Sequence, residues 1–128
     1  MARVIWRLEE AVSLVRVLQP LALESGLALS IGGSVLNSGF SWKDLDLVAM
    51  PGAYETEVSF VSLIAKLQEL GFKSTDINLS HPGIAVHKFE SESGKKIDLT
   101  TPFLDKSNVP DWNKTPKEEK KYRIDYSV

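Results

Sequence analysis

Two carboxylates one residue apart, Asp44-Leu45-Asp46, follow the small turn Gly32-Gly33-Ser34 with nine residues between Ser34 and Asp44. Residues i and i+2 of a strand share a face, so both carboxylates project into one space. Such a pair repels unless a cation lies between its members. Hard oxygen ligands suit Mg²⁺ or Mn²⁺, which also bind the phosphates of a nucleotide. The turn complements them: at Gly33 the missing Cβ lets the backbone approach a ligand, and Ser34 offers a hydroxyl beside exposed amides, a cradle for phosphate oxygens. Asp98, in Lys96-Ile97-Asp98-Leu99, repeats the acidic-apolar alternation. If its strand lies beside that of Asp44 and Asp46, three carboxylates face the same side. They could then hold two metal ions and activate a hydroxyl for in-line attack on phosphorus.

This pattern resembles the signature of the DNA-polymerase-β-like nucleotidyltransferase superfamily, particularly its minimal and antibiotic-modifying members. The resemblance covers roughly residues 27–100 and is concentrated in 31–47. It implies that Gly33 and Ser34 bind the triphosphate, that Asp44 and Asp46 coordinate metal, and that Asp98 ligates the catalytic metal and helps deprotonate the acceptor. The implied reaction transfers a nucleoside monophosphate from an NTP such as ATP to a hydroxyl acceptor, releasing pyrophosphate, with Mg²⁺ or Mn²⁺ as cofactor. A catalytically silent module of the same fold, binding a nucleotide or a protein, is the alternative. Many relatives carry a further helical region that grips base or acceptor; a compact member could complete its site as a homodimer.

The elements that must position these residues follow from periodicity. Val4, Ile5, Leu8, Val12, Val15 and Leu18 predict a helix over 3–25, kinked or restarted at Pro20 and stopped by Gly26. Leu27–Ile31 reads as a buried strand, and Ser34–Gly39 as a turn or single helical turn. Trp42–Met50 alternates with period two, and Pro51-Gly52 ends it. Phe60, Val61, Ile64, Leu67 and Leu70 predict a helix over 57–70. Residues 72–79, 84–90 and 95–100 read as strands, the last two joined at Ser93-Gly94. The expected fold is therefore α/β (α+β), a mixed sheet with helices mainly on one face. The resemblance implies that residues 1–104 form a nucleotidyltransferase-like domain. Residues 105–128 form a polar extension whose end, Tyr122–Val128, can dock as a strand.

Composition narrows the rest. With 128 residues, 43% hydrophobic and 25% charged, the chain suits one globular domain. The absence of cysteine removes disulfides, thiolate metal sites and cysteine nucleophiles. A net charge of -2 gives no bulk attraction to nucleic acid, which stays compatible but unindicated as a partner. No apolar run of about 18 residues suggests a membrane span and no signal-peptide pattern appears, which points to a cytoplasmic protein. His81 and His87 have no zinc-binding spacing, and His87, between Ala85 and Phe89, reads as structural. Trp6, Trp42 and Trp112 read as core residues, and the lysines from 114 to 121 as a solvated tail. Lys43 and Lys96 are expected to face away from the acidic positions.

Overall fold

The computed structural model describes residues 6–41, 43–105, 107–114 and 120–126, and of Ser34 and Leu36 the backbone alone. Along the chain run β1 (Trp6–Arg7), α1 (Leu8–Glu24), β2 (Leu27–Gly32), α2 (Gly33–Ser38), β3 (Phe40–Ser41), β4 (Asp44–Pro51), β5 (Glu57–Ser59), α3 (Val61–Glu69), β6 (Phe72–Asn78), β7 (Ile84–Ser91), β8 (Lys96–Pro102) and β9 (Lys121–Arg123). Five strands form the central sheet in the order β2-β4-β8-β7-β6. β4 and β8 are parallel, whereas the other neighbours are antiparallel. No helix among the described residues is long and apolar enough to cross a membrane.

Alternation divides the sheet into two faces. Leu45, Leu47 and Ala49 of β4, Ile97 and Leu99 of β8, and Ala85, His87 and Phe89 of β7 are buried on one face. They join the core with Ala11, Leu18 and Ala22 of α1 and Leu63, Ile64 and Leu67 of α3. Their neighbours in the strands, including Asp44, Asp46, Val48, Val86, Lys88, Asp98 and Thr100, are only half-buried on the opposite face. Gln19 and Asn113 bind the sheet margins. The Gln19 amide donates to the Leu29 carbonyl and accepts from the Leu29 N–H, both at 2.8 Å. Asn113 does the same to Ser74, also at 2.8 Å for each bond.

Three sequence expectations need correction. Residues 6 and 7 are extended rather than helical: they pair with β3, and the buried Trp6 indole donates to the Lys96 carbonyl at 2.7 Å. That anchor holds the chain straight before α1; positions 3–5 of the expected helix, like Trp42 at the start of the expected strand, lie outside the described residues. Pro20 does not divide α1, which continues to Glu24. Pro20 and Arg16, one turn earlier, are both exposed, so water can serve the backbone where proline supplies no N–H. Finally, α3 begins at Val61, because 57–59 pair antiparallel with 121–123. Val58 fits both a helical stripe and a strand, and the distant partner decides between them. At the other end Gly71, with φ +87°, closes α3 in the left-handed conformation that glycine tolerates.

Described residues after 104 pack into the same core. Trp112, Tyr122 and Ile124 are buried, with Trp112 edge-on to both Phe60 and Phe89. Leu104 bridges to Ile124, and the Tyr126 hydroxyl donates to the Glu55 carbonyl at 2.8 Å. The polar composition of this stretch conceals its apolar anchors. Lys117 and residues 127–128 of the expected tail and docking strand lie outside the described residues.

Candidate active site

The acidic residues meet on the open face because of strand register. Asp46 lies level with Asp98 on the parallel neighbour, across a strand spacing of about 4.8 Å. Gly32 pairs with Asp46 from β2, Lys88 pairs with Asp98 from β7, and Asp76 pairs with Lys88 from β6. One line across five strands therefore reads Gly32, Asp46, Asp98, Lys88, Asp76. Asp44 sits two residues before Asp46, level with Lys96. Asp44, Lys88, Lys96 and Asp98 line a pocket of about 180 Å³ together with Thr75, Phe89 and Glu90. A larger cleft of about 730 Å³ lies beside Gln68, Phe72 and Asn113 and contains none of the three aspartates.

Electrostatics mark this line as frustrated. Burial, and then repulsion from Asp98 and Asp44, holds the Asp46 carboxyl above the ordinary carboxylate range, with Lys88 opposing. Burial and the Asp44 charge likewise raise Asp98, against the pull of Lys88. Lys88 Nζ stands 3.2 Å and 3.4 Å from the two Asp98 oxygens and forms the ion pair of the site. Among the described residues, no three acidic or histidine side chains stand close enough together to enclose a metal ion as they are placed. The donor set still has the chemistry for one: hard oxygens on adjacent strands, with two carboxyls raised by crowding that a cation would relieve.

Gly33 is required where it stands. Its φ is +64°, and a Cβ there would lie 2.0 Å from Asp46 Oδ2 and 2.9 Å from Asp46 Cγ. The bare α-carbon thus gives the Asp46 carboxylate room, a tighter coupling than spacing alone indicates. Ser34 follows within α2; its hydroxyl lies outside the described structure. Gly39, with φ +80°, ends that helix and returns the chain to β3 and β4.

Other sequence-level expectations divide. Lys96 does not face away: it is two residues from Asp98, shares its face and lines the same pocket. Lys88 is the neighbour that sequence reasoning missed. Its signal was the alternation of Ala85, His87 and Phe89, which turns Lys88 to the other face; its pairing with Asp98 depends on strand order. His87 lies on the buried side and does not join the site. Its Nδ1 accepts from the Trp112 indole at 3.0 Å, and its Nε2 lies 3.0 Å from Thr101 Oγ1. Indole can only donate, so the neutral ring carries its proton on Nε2 and donates to Thr101. Thr101 in turn donates to the Ala85 carbonyl at 3.4 Å. Burial lowers the His87 pKa from 6.5 to about 4.

No protein-family model matches the sequence, and no curated protein matches it. Solved structures do match in fold. One of them, described as a cytoplasmic RNA terminal U-transferase, superimposes with a TM-score of 0.50 at 16% identity, over 73% of this chain and 28% of that one. The likeness shows a nucleotidyltransferase-like fold: a mixed five-stranded sheet with helices on one face. This chain spans little more than a quarter of the length of the protein it matches.

Proposed function

We propose that the chain is a metal-dependent nucleotidyltransferase, moving a nucleoside monophosphate from an NTP to a hydroxyl acceptor and releasing pyrophosphate. One observation carries the reading: Asp46 and Asp98 stand level on parallel strands, with Asp44 on the same open face and Gly33 fitted against the Asp46 carboxylate. The fold shared with an RNA terminal U-transferase supports it. Asp44, Asp46 and Asp98 would hold Mg²⁺ or Mn²⁺, which would neutralise charge on the transferring phosphoryl and the leaving pyrophosphate. The backbone at Gly33 and the Ser34 hydroxyl would receive the triphosphate. Asp98 would take the acceptor hydroxyl's proton as the acceptor oxygen bonds to the α-phosphorus. The bond from that phosphorus to the β-phosphate breaks as pyrophosphate leaves.

The test is transfer from labelled NTPs with Mg²⁺ or Mn²⁺ to a panel of hydroxyl acceptors. Asp44→Ala and Asp46→Ala should each abolish transfer while keeping wild-type circular dichroism; retained transfer in both variants rejects the mechanism. A second reading has an observation of its own. The Lys88–Asp98 pair, which occupies one of the acidic residues, suits a catalytically silent nucleotide- or protein-binding module. Binding of NTP by calorimetry without transfer to any acceptor would select it.

A further inference from the structure

Lys88 is placed to compete with a metal ion. Its ammonium reaches both oxygens of Asp98, and the pair is lopsided: the Lys88 side chain is 40% exposed and that of Asp98 19%. A lysine entering from solvent to meet a more buried acid can swing away at the cost of one half-exposed ion pair. A second seat is available, because Asp76 on β6 lies level with Lys88 on its other side and is exposed. Asp98 has no comparable choice, being crowded by Asp44 and Asp46 on the strand beside it.

We propose that Lys88 is a positioning residue that occupies Asp98 in the metal-free protein and moves toward Asp76 when a divalent cation takes its place. The inference rests on the metal-dependent reading above. Lys88 then sets how tightly the site takes metal: a cation entering between Asp44, Asp46 and Asp98 must displace an ammonium and sit near its charge. Removing that charge strengthens metal binding, whereas removing an ordinary structural residue would weaken it or leave it unchanged.

The experiment titrates Mn²⁺ alone into the full chain and follows loss of the free-ion electron paramagnetic resonance signal. Lys88→Met keeps the length and apolar stem and should bind Mn²⁺ roughly three- to tenfold more tightly than wild type, the range of a half-exposed ion pair plus one like charge. Lys88→Arg restores the charge and should return the affinity to within about twofold of wild type. Asp46→Asn should lose the binding. Equal affinity of Lys88→Met and wild type overturns the role of Lys88 and leaves the proposed function standing. Absence of Mn²⁺ binding in wild type and Lys88→Met alike overturns both.

Discussion

Acidification should loosen this protein through one buried imidazole. In the folded state His87 is fully buried, accepts from Trp112 and donates to Thr101, and its pKa falls from 6.5 to about 4. Protonating Nδ1 would set an N–H against the indole N–H and bury a charge that no carboxylate among the described residues pairs with. The unfolded chain therefore binds the proton more readily, and stability rises with pH between the two values. The contribution is fully present above about pH 6.5 and is lost as pH falls toward 4. The whole window is worth about 3 kcal/mol, of which about 2 kcal/mol falls between pH 7 and pH 5. Urea melts at those two pH values measure the loss, with His87→Gln as the reference that cannot titrate there. The slope of stability against pH should be flatter in the variant by about 2 kcal/mol over the interval. In parallel, the His87 ring resonances, assigned by their persistence in His81→Asn, should stay in the neutral position down to about pH 5. Identical slopes in the two proteins, or a His87 resonance moving with a midpoint near 6.5, would refute the buried neutral triad.

Three further outcomes are expected. Gly33→Ala combines left-handed strain with a 2.0 Å approach to Asp46 Oδ2, so it should lower stability by about 1–3 kcal/mol and weaken Mn²⁺ binding; urea melts and paramagnetic resonance read the two effects. Asp46→Asn relieves repulsion among the carboxylates and should raise metal-free stability by at most about 1 kcal/mol while abolishing transfer, as melts and the transfer assay will register. Ending the chain at Leu104 removes Trp112, Tyr122 and Ile124 from the core. At roughly 1.5–3 kcal/mol per large buried side chain, this loss rivals the stability of an ordinary domain, so the truncated chain should show no cooperative melt.

Legibility in the sequence followed the range of the interaction. The strand holding Asp44 and Asp46 is readable because polar and apolar residues alternate without a break from 44 to 47 and one face is buried. The glycine stops at Gly26 and Gly71 are readable because left-handed closure is a local property of the backbone. Long-range pairing escapes such reading. Glu57–Ser59 becomes a strand only because Lys121–Arg123 returns to it from more than sixty residues away. Likewise Lys88 meets Asp98 only because β7 lies beside β8, and neither local sequence contains that fact. The orientation of Lys96 was within reach, since two residues along a strand return to the same face. Trp112 was recognisable as a core residue, but its role as donor to His87 was not, because the polar residues around it mask the turn that brings it inward.

Gln19 and Asn113 bear on how this protein can associate. A sheet ordinarily invites a further strand wherever an outer N–H and C=O are unoccupied. At Leu29 on one margin and Ser74 on the other, a side-chain amide already fills both positions, imitating the backbone of a neighbour. A foreign strand would have to break two hydrogen bonds before forming its first at either point. Growth by sheet extension, and with it fibril-like stacking, is therefore discouraged at both ends.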